Sequence, residues 1–254
     1  MSFENTRGFT KENLDTYLQY LGKEYRRLNG KTMPAEIILV GGAAIVANYG
    51  FRDMTTDVDA VIHAVSSMKE AINTVGDKYN LPYGWLNADF TRTSSFSHKL
   101  EQYSVYYKQF SNVLNVRIVS GEYLIAMKLR SGRSYKNDLS DIIGILSEHE
   151  KRAEPITMDK IDKAVVDLYG SWNEFPKDSM QFIADVMQKG NFNQLFELVR
   201  MEENYSKKVL INFEQNNPDM MDSNNVDIIL KEIKKEEKKE QILERLKSMK
   251  NEPE

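Results

Sequence analysis

The chain has 254 residues, 41% of them hydrophobic and 28% charged, with no cysteine and a formal net charge of -4. That length buries a substantial core, as one large domain or two smaller ones, and the lack of cysteine excludes a disulfide framework and a thiolate ligand or nucleophile. No apolar run reaches the length of a membrane span, and Met1-Ser2-Phe3-Glu4 lacks the order of a signal peptide, so the expectation is a cytoplasmic protein with no membrane partner.

In chain order, residues 11–28 place Leu14, Leu18, Leu21, Tyr25 and Leu28 at helical spacing, with Thr10 as the N-cap. An apolar strand, Ile37-Ile38-Leu39-Val40, then meets Gly41-Gly42 and a short helix starting near Ala43. Bare backbone N–H groups at a helix N-terminus form a phosphate cradle. Next comes Thr55-Thr56-Asp57-Val58-Asp59, read as the start of a strand whose period of two puts both carboxylates on one face, with Val58 and Val61 turned to the other. Two like charges held so close call for a cation, and oxygen-only ligands favour a hard ion such as Mg²⁺ (or Mn²⁺), whose shell is completed by water and substrate phosphates.

Residues 66–79 read as a further helix, closed by Pro82 and Gly84, and 103–110 with 113–119 as a hairpin turning at Ser111-Asn112. From Gly121 onward the pattern is helical, over about 122–130, 138–148, 158–168, 179–188 and 192–214, punctuated by Pro155, Gly170, Pro176, Gly190 and Pro218. A last helix, about 225–249, carries Val226, Ile229, Leu230 and Ile233 before a charged middle and Ile242, Leu246 and Met249 after it; it reads as a solvated helix or as a partner-binding arm. The fold class expected is α+β: a mixed sheet flanked by helices in 1–150, then a helical C-terminal domain in 151–254. Charge follows the same division. Between 92 and 136 eight Lys/Arg stand against two Glu, whereas 154–230 holds seven basic and fourteen acidic residues. A basic middle suits polyphosphate or RNA.

The run Gly41-Gly42 through Asp57-x-Asp59 resembles the signature of the DNA polymerase β-type nucleotidyltransferase superfamily. A second segment, Glu122-Tyr123-Leu124-Ile125-Ala126-Met127-Lys128-Leu129-Arg130-Ser131-Gly132-Arg133 followed by Asp138-Leu139-Ser140-Asp141, is similar to AbiEii-like and DUF6036-like nucleotidyltransferases, which include toxins of toxin–antitoxin pairs. The resemblance covers roughly 35–150. It implies a nucleotidyltransferase domain in which Asp57 and Asp59 bind metal on a nucleoside triphosphate and an acceptor hydroxyl attacks the α-phosphate. It reads Lys128 as a point charge on the triphosphate, Arg133 (and Arg130) as phosphate clamps, and Asp138 and Asp141 as groups orienting Lys128 or the acceptor. First-turn acids are also favoured by the helix dipole alone. Arg52 and Thr55-Thr56 match an Arg-x-x-Thr-x-Asp run of the similar proteins, read either as shaping the phosphate loop or, for Thr56, as the start of the strand. The acceptor implied is RNA, notably a tRNA end, and the partner an antitoxin protein; a protein or small-molecule acceptor, or a nucleotide-binding protein with weak or no catalysis, stands as the alternative.

One departure bears on catalysis. Many superfamily members place a third carboxylate on a later strand, where this chain has Asn115 or Arg117; Glu101, Glu122, Asp138 and Asp141 are the substitutes considered. Trp85, Tyr103, Tyr106 and Tyr107 offer either a base-stacking surface or cross-strand packing.

Overall fold

The computed structural model describes residues 8–222 and 225–250, with side chains through Lys239. The first four residues and the side chains of Ile242, Leu246 and Met249 lie outside the described residues. Helix α1 (Lys11–Asn29) starts at Thr10, whose hydroxyl accepts the Asn13 N–H while the Asn13 side-chain oxygen Oδ1 accepts the Thr10 N–H; this is a capping box with Asn in the place of Glu or Gln. Strand β1 (Ala35–Leu39) runs into α2 (Gly41–Asn48), then come β2 (Val58–His63), α3 (Ser67–Tyr79) and β3 (Leu86–Asn87). The hairpin of β4 (Ser104–Phe110) and β5 (Leu114–Val119) turns where expected, with Ser111 and Asn112 both at positive φ, the backbone a tight hairpin needs. The helices α4 (Gly121–Ser131), α5 (Asp138–Lys151), α6 (Met158–Tyr169), α7 (Lys177–Lys189), α8 (Phe192–Asn216) and α9 (Val226–Lys250) follow.

The five strands form one mixed sheet in the order β3-β2-β1-β5-β4. β1 is antiparallel to β2 and parallel to β5, so it is the central strand, and its Ile37, Ile38 and Leu39 are fully buried. α1 packs on α3; α4 packs on α5, α6 and α7; α8 lies along α5. In β2, Val58 and Ala60 are buried while Asp59 and Val61 are half-buried. Val61 therefore shares the side of Asp59 rather than that of Val58, as its even spacing from Asp59 requires.

The main cluster of buried apolar residues runs from Phe9 to Val186 and passes across residue 150, through Ile145 and Leu146 to Ile161 and Val165. A boundary at 150 is thus a proposal about independent folding and marks no gap in packing. A second, small cluster joins Leu210, Val226 and Leu230 of α8 and α9, with Tyr135 from the loop before α5 packed against it. Among the described residues no helix is long and apolar enough to cross a membrane.

α5 is seated closely on the loop after α2: a Cβ on Gly144 would lie 2.5 Å from the Phe51 ring. Gly144→Ala gains about 1 kcal/mol of helix propensity and loses about 1–3 kcal/mol to overpacking. The expected outcome is a net loss of stability in thermal or urea denaturation, reversed when Phe51→Leu is added.

Candidate nucleotide and metal site

The site is assembled where β1 ends. The Val40 N–H donates to the Asp59 carbonyl at 3.0 Å, so the chain leaves the sheet beside the Asp59 side chain. Gly41, at φ +55, adopts a backbone that disfavours other residues, and a Cβ there would lie 3.5 Å from Asp59 Oδ2. Gly42 admits a second close approach: a Cβ on it would lie 2.4 Å from Thr55 Oγ1 and 2.9 Å from Arg52 Nη2. α2 begins at Gly41 itself, two residues earlier than expected, so both glycines belong to its first turn. Thr55 is held there by paired backbone hydrogen bonds with Phe9, at 2.7 and 3.0 Å.

Asp57 lies one residue ahead of β2, in a bend, exposed, with the Thr56 hydroxyl at 3.5 Å from its Oδ1. Asp59, half-buried, has its pKa pushed up to about 6, first by burial and then by the charge of Asp57, with Lys136 and Arg133 pulling the other way. The pair is thus close enough for mutual repulsion. The donors there are oxygens alone, which fits a hard cation such as Mg²⁺ or Mn²⁺. Among the described residues no three His, Cys, Asp or Glu side chains are grouped to hold a metal ion, so such a cation would draw the rest of its shell from water and phosphate.

Lys128 lies deeper. Only 7% exposed, its ammonium is 2.9 Å from Asp138 Oδ1 and 2.8 Å from Asp141 Oδ2. Burial alone would lower its pKa; the two carboxylates outweigh burial and raise it. Asp138 is the mirror case, where burial pushes upward and the Lys128 and Arg133 cations hold the carboxyl below the ordinary range. Arg133 Nε donates to Asp138 Oδ2 at 2.8 Å, and Arg52 Nη1 donates to Asp141 Oδ2. One charged chain therefore runs from the Gly42 turn through Arg52, Asp141, Lys128, Asp138 and Arg133 toward Asp59. Of the sequence-predicted residues the structure joins Arg52, Lys128, Arg133, Asp138 and Asp141 in one bonded network, sets Gly41 beside Asp59, and gives Lys128 two carboxylate partners rather than a free ammonium. Arg130 points elsewhere: it bonds Glu174 and lies over the rings of Tyr169 and Phe175.

β5 carries no third acid facing Asp57 and Asp59. Arg117 donates from Nε to Ser104 Oγ at 2.7 Å, and Asn115 accepts from Gln109 at 2.8 Å. Glu101 sits 3.6 Å from His63, and Glu122 lines an open cleft with His149. Three other groups bear on the site. Asn87 of β3 stands in register with Asp59, and its side-chain oxygen accepts the N–H of Asp89, whose charge raises Asp59 further. Lys136 faces both Asp57 and Asp59. Glu203 of α8 accepts the N–H groups of Leu139 and Ser140, at 2.8 and 3.3 Å, in the first turn of α5. A two-residue strand has no alternation to reveal Asn87. Glu203 did leave a signal, because it occupies the stripe of Phe196, Val199, Ser206 and Leu210, where an apolar residue is expected. Of the aromatic candidates, Trp85 is buried against Phe9, Tyr103 stacks on Tyr123, Tyr107 bonds Asp15, and Tyr106 is exposed.

A glycine turn at the end of a central strand, a carboxylate pair at the start of the next, and a lysine–aspartate clamp behind them agree with one comparison. A family profile described as "Nucleotidyltransferase of unknown function (DUF6036)" matches residues 16–180. The chain belongs to that family. The match takes in both motifs of this DUF6036 protein and ends before α8. No curated protein and no solved structure matches the chain.

Two outcomes follow. Lys128→Met leaves Asp138 and Asp141 buried without their shared cation, and removing one partner of such a pair costs roughly 3–5 kcal/mol; urea denaturation at pH 7 reads this directly. Glu203 has its pKa pushed up to about 7, chiefly by burial, from an ordinary value of 4.5. An acid raised in the folded state binds its proton more tightly there, so its neutral form favours folding and that stability is lost as pH rises from 4.5 through 7. Glu203→Gln keeps the neutral form, so its stability should equal the parent's near pH 4 and exceed it by on the order of 3 kcal/mol above pH 7, measured by melts across that range.

Proposed function

We propose that this DUF6036 protein is a nucleotidyltransferase that moves a nucleoside monophosphate from a nucleoside triphosphate to an acceptor hydroxyl. The observation that carries the reading is the apposition of the Gly41-Gly42 turn to Asp59, a backbone phosphate cradle and a carboxylate in contact distance across one strand end. The N–H groups of α2's first turn bind phosphate oxygens, and Asp57 and Asp59 hold Mg²⁺ or Mn²⁺. That cation, when bound, neutralises the triphosphate and activates the hydroxyl. Arg133 and Lys136 flank the carboxylates and favour an anionic ligand over an empty acidic pair. In the reaction the acceptor oxygen forms a bond to the α-phosphorus, the bond to the β-phosphate oxygen breaks, pyrophosphate leaves, and the hydroxyl proton passes to water. Lys128 orders the wall behind this cleft through Asp138 and Asp141.

The acceptor we propose is RNA, with a tRNA end first, and the partner an antitoxin, both on the resemblance to AbiEii-like toxins. The charge argument for RNA narrows in three dimensions. Lys128 is buried, Arg117 is bonded within the sheet, Lys108 pairs with Asp15, Arg130 with Glu174 and Arg133 with Asp138, which leaves Arg92, Lys99 and Lys136 as the main cations turned outward to steer a polyanion. A second reading, a nucleotide-binding protein with little turnover, is favoured because among the described residues no third acid is grouped with Asp57 and Asp59 to hold a metal ion.

Incubation with each α-³²P-labelled nucleoside triphosphate, Mg²⁺ or Mn²⁺ and total RNA, resolved on a denaturing gel, separates these. Label in RNA, reduced at least about 100-fold by Asp57→Asn/Asp59→Asn through loss of several kcal/mol of charge stabilisation, is the expected outcome. Label on protein moves the acceptor to a protein hydroxyl. Nucleotide binding by titration with no label anywhere supports the second reading, and undiminished transfer by the double variant would sink the metal mechanism.

A further inference from the structure

We infer that Glu203, delivered by α8 from beyond the family-matched segment, is a positioning residue that caps the first turn of α5 and so holds Asp138 and Asp141 in their clamp on Lys128. The inference rests on the nucleotide-site reading above for its functional half.

The need for such a group arises in α5 itself. The first N–H groups of a helix have no partner within it, and Asn137 at the N-cap makes no side-chain hydrogen bond to them. Water has limited access to those groups, since Asp138, Ser140 and Asp141 are buried and Leu139 is half-buried. Glu203 meets the requirement from 64 positions away in sequence, with one oxygen, Oε1, accepting from both Leu139 and Ser140. Its position is costly for an acid. Glu203 is 2% exposed, on a helix face otherwise turned to α5, and its Oε2 finds no protein partner among the described residues, nor does Oδ1 of Asp141. A buried carboxylate is retained against that cost where it meets donors that nothing else supplies.

The cap also fixes direction. Asp138 precedes the two capped residues and Asp141 follows them, so both carboxylates that grip Lys128 are carried by the turn that Glu203 anchors. Arg52, which reaches from the Gly42 turn to Asp141, extends the same restraint to the cradle. A second tie reinforces it, because Tyr135, in the loop bearing Arg133 and Lys136, packs on Leu210, Val226 and Leu230 of α8 and α9. The C-terminal helices thus brace both the loop and the helix start that face the carboxylate pair.

The test uses the full chain with Glu203→Ala, Glu203→Asp and Glu203→Gln, read by hydrogen exchange and by nucleotide assays. Glu203→Ala removes the acceptor, Glu203→Asp shortens it by one methylene, and Glu203→Gln retains an oxygen of the same reach. Expected are exchange at the Leu139 and Ser140 amides at least ten-fold faster in the Ala and Asp variants with β1 and β5 amides unchanged, transfer lowered at least ten-fold in kcat, and rescue of both by Gln. If Glu203→Ala does not fold, Glu203→Asp against Glu203→Gln decides. Unchanged exchange, or transfer equal to the parent despite faster exchange, overturns the positioning role. A parent protein that neither binds nor transfers nucleotide fails the functional reading instead, and the exchange result still decides the cap.

Discussion

A single buried ammonium organises this molecule's charged interior. Lys128 is placed by α4, whose remaining face is core, and two aspartates from α5 meet it there. Burying any one of these charges alone would cost several kcal/mol; together, with Arg52 and Arg133 completing the hydrogen bonding, they sit at low exposure. The arrangement specifies geometry more than it adds stability. α4 and α5 cannot slide past one another without separating ions, and the Gly42 turn cannot drift from α5 without releasing Arg52. The Gly42 turn inherits its place against α5 from that constraint.

The same clamp changes what Lys128 can do. An ammonium already facing two carboxylates has little net charge left for any anionic ligand, and the cations that bear on Asp59 are Lys136 and Arg133 on the loop between the two helices, the latter also bonded to Asp138. On the function proposed above, electrostatics toward substrate and architecture are divided between neighbouring residues of one motif. A motif match by itself assigns all of them to the ligand.

Much of this was legible in the chain. The Gly-Gly turn, the two aspartates and the Lys-then-Asp-x-x-Asp segment lie on local patterns with a physical meaning, and the hairpin turn and most helix bounds follow from punctuation by Gly, Pro and Asn. What stayed hidden is of another kind. A two-residue strand such as β3 has no period to detect, so Asn87 beside Asp59 could only be found in space. The excess of basic residues between 92 and 136 looked like a surface because counting along the chain ignores direction; folding turns Lys128 inward, lays Arg117 along the sheet and hands Lys108 to an aspartate on α1. Glu203 was visible as an acid in an apolar stripe, yet its partner lies 64 positions away, and a single sequence carries no sign of that.

Phe9 draws these points to one consequence. Its backbone ties Thr55 beside the Gly42 turn, and its ring rests between Tyr17 and Trp85. It lies before the family-matched segment, just as Glu203 lies after it. The stretch recognised as a nucleotidyltransferase is therefore shorter than the body that keeps its cleft in shape. An excised 16–180 fragment would retain every motif residue while losing the braces at both ends, so inactivity of such a fragment would speak about scaffolding and leave the chemistry of the intact chain unjudged.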